Sequence, residues 1–458
     1  MTYAGSRTIL DADSHVMELA DFLDPYLDPA DRAWLRRRTM DALAPVLEDA
    51  RSRQATRAAD AAARATAEER LLLDKGWFAM GGFEPAERSH VLDLLGFEGQ
   101  LVFATFATAM FTGRDLGRLY TGSRAQNHAV AAFCADDPRL LPVGYVPLDD
   151  PVRAVDALDE ALALRCAAIM VPSTAAGACA PTHPDLDGFW GRLAAADTPF
   201  VLHVGGGGRL LDPAFHENGR PVSDHLGGGE NVRSKDYLAI HHSPEVFLGV
   251  LVLDGLFDRF PELRGGCIEQ GASWVVSWLR HLDHAQRAFR RTEPPLAELA
   301  DVPSAYVRRH LRFTPYPGEP VGWLMAQAGP ELFMFSTDYP HPEGGRDPLA
   351  SFEATLDGVD EADRDRFFRA NLQWLLGHAP AETAAIRHQK AMIPRGDDGP
   401  WGDGPTPGSV VTETSALEPT GEGRSPATTA PNSESSIDRA RSSRIRCSRK
   451  CADLLDSP

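Results

Sequence analysis

Five residues have the types and positions to do chemistry together: Asp13, His15, His203, Glu269 and Asp338. Each stands at the end of a short apolar run. The runs read Leu10-Asp11-Ala12-Asp13-Ser14-His15, Phe200-Val201-Leu202-His203, Cys267-Ile268-Glu269 and Phe335-Ser336-Thr337-Asp338. Asp13 and His15 are two apart, so on a strand they point the same way. Two imidazoles and three carboxylates suit Zn2+ or a similar divalent ion, with Mn2+ and Fe2+ sharing such ligands. A catalytic ion takes about three protein ligands and keeps one position for water, whose pKa it lowers toward neutrality. A further acid or base then moves the proton. A lone strand-end histidine is more often a hydrogen-bonded structural residue. The joint arrival of four strand ends is the signal. Asp11, inside the first motif, reads as a residue that orients the turn.

Strands must deliver these side chains to one place. Eight apolar runs have strand character: 8–12, 100–106, 140–146, 166–171, 199–204, 265–269, 311–315 and 332–337. Helical spacing appears between them, as at Val152–Leu164 and Asp187–Ala196. Strands alternating with helices predict a parallel sheet. Eight units over about 380 residues predict an α/β fold of the (β/α)8 TIM type, whose site lies at the strand C-termini. An open doubly wound sheet is the alternative, but no Gly-x-Gly-x-x-Gly turn follows an early strand. Two insertions stand out, 16–99 after the first strand and 205–263 after the fifth. The first holds an Ala/Arg/Glu-rich stretch, 46–74, predicted helical by propensity. The second opens on four glycines, Gly205–Gly208, without the Lys-Ser/Thr of a phosphate loop.

The net charge is -19. Residues 386–458 carry ten basic and ten acidic side chains, so the excess lies on residues 1–385. Such an acidic body argues against a nucleic-acid partner. The apolar stretch 246–257 is too short for a membrane span and holds Asp254. No signal-like segment is seen, and the six cysteines are scattered, so a cytoplasmic setting with reduced thiols is expected. From Pro394 onward Gly, Pro, Ser, Thr and charge dominate. The reading is a barrel over 1–389 and a disordered tail over 390–458. Cys447 and Cys451 in that tail are weak evidence for metal.

The chain resembles the amidohydrolase-related family, in the branch that holds aminocarboxymuconate-semialdehyde decarboxylase and related aromatic-acid decarboxylases. The resemblance spans roughly 8–380. It rests on Asp11–His15, Leu202-His203, Gly255–Leu263, Ser336-Thr337-Asp338-Tyr339-Pro340-His341, and Asn371-Leu372 with Gly377. It implies a metal held by His15, His203 and Asp338, with Asp13 in the first ligand position. Two positions depart from the family pattern. Asp13 replaces a His or Glu, and Glu269-Gln270-Gly271 replaces a catalytic His followed by glycines. Glu269 and Asp338 become the candidate proton carriers. His341, Arg280 and His242 are candidate substrate contacts, and Trp77, Phe78 and Phe83 candidate walls or packing residues. The first reading of function is hydrolysis of a small amide, lactone or ester by metal-activated water. The second is non-oxidative decarboxylation of an aromatic or unsaturated acid. The third is a non-catalytic barrel scaffold. A small-molecule partner and a homodimer are expected.

Overall fold

The computed structural model describes residues 2–206, 211–220 and 234–377. Seven parallel strands hydrogen-bond in sequence order: β1 (Leu10–Val16), β2 (Gly99–Ala104), β3 (Leu140–Tyr145), β4 (Ala168–Met170), β5 (Phe200–Leu202), β6 (Gly265–Cys267) and β7 (Leu311–Phe313). Helices such as Pro151–Ala163 and Asp187–Ala195 make the crossovers that parallel neighbours require.

The expected eighth strand, 332–337, is not a regular strand. An extended segment closes the sheet instead. Phe333 bridges to Phe313 on β7, and Tyr339 bridges to Ser14 on β1. The Met334 N–H donates to Phe313 O at 2.9 Å, the Ala12 N–H to Phe335 O at 3.0 Å, and the His15 N–H to Tyr339 O at 2.7 Å. The result is a TIM-type barrel. The segment is irregular because its polar groups are used elsewhere. The Thr337 N–H donates to the Asp11 carboxylate at 2.8 Å, and Asp338 sits in the left-handed region at φ 53°.

Strand side chains sort by alternation. Leu101, Phe103, Val143, Tyr145, Val201, Ile268 and Met334 pack together in the inner set. Val102, Ile169, Phe200, Leu202 and Phe313 pack with helix residues such as Leu158, Trp190 and Leu248. In β6 a Cβ on Gly265 would lie 2.2 Å from the Phe200 ring. Only glycine lets β5 and β6 pair there, so a strand that reads Gly-Gly-Cys is still core.

The helical stretch of the first insertion becomes two helices, Ala44–Ala59 and Ala61–Glu69. Asp60 separates them and caps the second, accepting from the Ala62 N–H at 2.8 Å. Trp77 is buried, stacks on Phe106 at 5.2 Å and donates from Nε1 to Glu18 O at 3.0 Å. It therefore packs the insertion onto the barrel. The apolar stretch 246–257 lies on two helices, His242–Leu253 and Leu256–Arg259, broken at left-handed Gly255; Phe247, Leu248, Leu251, Val252, Leu256 and Phe257 are buried and Val246 is exposed. No described helix is long and apolar enough to cross a membrane. Residues 390–458, and parts of the 205–263 loop, lie outside the described residues.

His310 ends the helix Pro303–His310 that leads into β7. It donates from Nδ1 to Leu263 O at 2.8 Å and stacks on Phe257 at 4.4 Å. Burial pushes its pKa down to about 4. The unfolded imidazole titrates near about 6.5. The folded state therefore prefers the neutral form, and this stability is present above about pH 6.5 and lost as pH falls toward 4. Urea unfolding should show the wild type losing on the order of 3 kcal/mol more than His310→Gln between pH 7 and 4. Equal losses in the two proteins would remove His310 from the acid response.

Candidate metal and catalytic site

The site begins with a fault in β1. Asp11 pairs with Gln100 on β2, but Ser14 pairs with Val102, so β1 carries one extra residue. Such a bulge re-aims the residues beyond it. Leu10 and Ala12 pack in the inner set. Past the extra residue it is Asp13 and His15 that reach the inner cluster. Asp11 holds the fault in place. Its carboxylate accepts from the Asp13 N–H at 3.2 Å, Gln100 Nε2 at 2.7 Å, and the Thr337 N–H and hydroxyl at 2.8 and 2.5 Å. Burial pushes this carboxyl up to about 7 against the pull of those hydrogen bonds. Asp11 thus orients the motif, as its position suggested, and also ties β1 to the closing segment.

The strand ends converge in two groups that share His15. Ligand atoms of Asp13, His15, His203 and Glu269 lie within 4.8 Å of one another, and so do those of His15, Asp338 and His341. Asp13 Oδ1 is 3.2 Å from His15 Nε2 and 3.3 Å from His203 Nε2. Glu269 Oε2 is 3.4 Å from His203 Nε2, and Asp338 Oδ1 is 3.5 Å from His15 Nε2. All six residues are buried. The short Asp13 side chain reaches the cluster in full.

Electrostatics separates the two imidazoles. Burial, then the neighbouring His341 and His203 rings, hold His15 well below the ordinary histidine value. It is neutral, the form in which imidazole binds metal. Burial also presses His203 down, but the Asp13 charge and hydrogen bond outweigh it and the pKa rises. His203 Nδ1 faces Val204 O at 3.0 Å, which leaves Nε2 for the cluster. Asp13 Oδ2, Asp338 Oδ2 and His15 Nε2 are buried and make no hydrogen bond to a described residue. An unmet buried acceptor costs about 1–3 kcal/mol, and more when charged. Nitrogen and carboxylate donors converging in this way fit a divalent cation.

Several residues behind the cluster carried no signal in the sequence. The Thr105 hydroxyl lies 3.3 Å from His15 Nδ1 and 3.1 Å from His341 Nε2, and donates to Val16 O at 2.9 Å. Glu18, fully buried, accepts from the backbone N–H groups of Thr105 (2.7 Å), Phe106 (3.0 Å) and Ala107 (3.1 Å), fixing that loop. Arg88 comes from the insertion helix Pro85–Leu95 and is fully buried. It donates to Gly81 O at 2.8 Å, to the His15 carbonyl and to Ser14 Oγ at 3.4 Å. Glu269 and Asp338 both have left-handed backbones, at φ 54° and 53°. Non-glycine residues adopt this at a cost of about 1–3 kcal/mol, and such residues cluster at functional sites. At Glu269 the strain is held by Thr314 Oγ1, which accepts its N–H at 2.9 Å, and by the Tyr316 hydroxyl, which donates to its carbonyl at 2.7 Å. Beside Asp338, a Cβ on Gly344 would lie 1.8 Å from Thr337 O, so only glycine passes.

The candidate substrate contacts divide. His341 joins the cluster. It is buried, stacks on His15 at 3.9 Å, and places Nδ1 2.9 Å from Asp338 Oδ1. Arg280 does not join it. It is exposed on helix Val275–Phe289, off the Val275, Trp278, Leu279, Leu282 stripe that packs inward. His242 is exposed at the start of its helix and meets His241 edge-on at 4.6 Å. Neither is brought to the cluster. A solvent-facing helix position and a pocket-facing one have the same spacing in sequence. A narrow cavity of about 10 Å³ opens between Asp13, Glu269, Tyr316, Asp338 and Glu343. It has room for about one water.

The sequence model of the family described as Amidohydrolase matches residues 11–372. The chain belongs to the amidohydrolase family. Its barrel resembles that of an amidohydrolase from Mycobacterium avium subsp. paratuberculosis, at 21% identity over 81% of this chain and 100% of that one, with a TM-score of 0.61. It also resembles a 5-carboxyvanillate decarboxylase from Sphingomonas paucimobilis (17% identity, 81% and 99% covered, TM-score 0.54). A dihydroxybenzoic acid decarboxylase from Polaromonas, described with bound manganese and the inhibitor 2-nitroresorcinol, matches at 19% identity, 82% and 98% coverage and TM-score 0.53. These likenesses concern the fold that this amidohydrolase-family chain shares with them. No curated protein matches the chain.

Proposed function

We propose that this chain is a metal-dependent carboxy-lyase that releases CO2, without oxidation, from an aromatic or unsaturated carboxylic acid. The observation that carries the reading is the placement of Glu269. A carboxyl group stands at the end of β6, 3.4 Å from His203 Nε2, on strained backbone, where the site needs a proton donor. The decarboxylases among the structural neighbours favour it over hydrolysis.

In this reading Asp13, His15, His203 and Asp338 hold the divalent ion, and His341 orients Asp338 through its Nδ1 contact. When bound, the ion supplies a positive centre for the substrate carboxylate and an adjacent oxygen. Manganese, present with the Polaromonas enzyme, stands beside Zn2+ as the ion to load first. Glu269 delivers its proton to the carbon that bears the carboxylate. The new C–H bond takes a π pair of the substrate; the bond from that carbon to the carboxyl carbon then breaks, its electron pair refills the π system, and CO2 leaves. Solvent returns a proton to Glu269. Thr314 and Tyr316, by clamping the Glu269 backbone, keep its carboxyl aimed at the cluster.

One observation favours the hydrolytic reading in turn. The narrow cavity beside Glu269 and Asp338 has the size of a water, the nucleophile that hydrolysis would need. One experiment separates the two. Protein loaded with Mn2+ or Zn2+ is given a panel of hydroxybenzoates, and separately lactones and amides. CO2 release from the acids supports the carboxy-lyase. Cleavage of a lactone or amide with no CO2 from any acid replaces it with the hydrolase.

A further inference from the structure

The substrate proposed above is an anion that must approach acidic groups. The cavity is lined by four carboxyl groups, Asp13, Glu269, Asp338 and Glu343. A cation beside them would favour an anionic ligand over a neutral one. Arg88 lies behind His15, but its guanidinium is committed to the carbonyls of Gly81 and His15 and to Ser14.

Lys75 is differently placed. It lies in extended backbone before the turn Gly76–Phe78, in the insertion after β1. The next residue is latched to the site segment, because the Gly76 N–H donates to Pro340 O at 2.8 Å. The Tyr339 hydroxyl donates to Met80 O at 2.6 Å, and the Met17 N–H to Gly82 O at 2.7 Å. The loop is thus tied to both metal-site strand ends, and Pro340 is two residues from Asp338. Lys75 is half-buried, and its charge acts on Asp338 and Glu343. Among the described residues its ammonium makes neither a hydrogen bond nor an ion pair. Burial lowers its pKa, and Asp338 and Glu343 offset part of that. A half-buried ammonium without a fixed partner has its donors available to a ligand.

We propose that Lys75 pairs with the anionic group of the substrate and makes the site select anions over neutral compounds of the same shape. This rests on the carboxylic-acid reading above and adds the residue that recognises the charge. Its test uses the Mn2+-loaded full chain and two probes of similar shape, salicylate and neutral salicylamide, titrated calorimetrically. The wild type should bind salicylate at least about tenfold more tightly than salicylamide. Lys75→Met should lower that ratio by at least about fivefold by weakening salicylate alone, the preference due to the ion remaining, and Lys75→Arg should restore it. Metal content, measured in each variant, should not change. A ratio unchanged in Lys75→Met overturns the proposal, and so does a wild type with no preference. The two readings fail separately. CO2 release by the wild type with an unchanged ratio removes Lys75 and leaves the carboxy-lyase. A ratio that falls in Lys75→Met, with no CO2 from any hydroxybenzoate, removes the carboxy-lyase and leaves Lys75.

Discussion

His203→Ala will strip the protein of its divalent ion. Elemental analysis of wild type purified from metal-supplemented growth should give about one ion per chain, and of the variant less than about a tenth of that. The reason is geometric. His203 Nε2 lies 3.3 Å from Asp13 Oδ1 and 3.4 Å from Glu269 Oε2, so it bridges the β1 and β6 contributions to the cluster. Without it the remaining donors are mostly carboxylates, which repel one another until an ion or protons neutralise them. The barrel should survive, because His203 follows the last residue of β5 and its removal leaves Phe200, Val201 and Leu202 packed. A variant that keeps a full complement of metal would overturn the ligand set, and the cluster would then be a metal-free acid/base site.

The second large effect belongs to Glu269. Glu269→Gln should lower turnover by about 10³-fold, within the range usual for loss of a general acid. That corresponds to about 4 kcal/mol on the barrier. Metal content and unfolding midpoint should stay near the wild-type values. Glutamine keeps the shape of the side chain, and the contacts that hold the strained backbone, to Thr314 and Tyr316, are made by main-chain atoms of residue 269. The expected loss is therefore in kcat rather than in folding. A fall of less than about tenfold would move the proton to another group, and the Asp338–His341 pair, 2.9 Å apart, is next in line.

The two experiments probe different levels of legibility. Asp13, His15, His203, Glu269 and Asp338 were readable because each ends an apolar run, and parallel strands in a barrel all end on one face. Fold class followed from the same alternation of strand and helix. Arg280 and His242 sit on helices whose burial depends on what packs against them, and both face solvent. The run 332–337 has strand composition, yet its ladder is broken by the Asp11 carboxylate taking the Thr337 N–H.

Residue types and their order along the chain thus specify the barrel, the face that carries the site and the five polar side chains brought to it. They do so because strand and helix periodicities are local properties. The aim of those side chains is not local. The bulge between Asp11 and Ser14 turns Asp13 and His15 inward, Arg88 and Thr105 arrive from elements 70 or more residues away, and the left-handed turns at Glu269 and Asp338 are stable only under contacts from Thr314, Tyr316 and Gly344. The position of Lys75 belongs to the same class. A lysine in a long insertion reads as solvated surface until hydrogen bonds to Pro340 and Tyr339 bring its loop against the site. Each of these depends on atoms distant in sequence meeting at a few ångströms, and spacing along one chain carries no record of that.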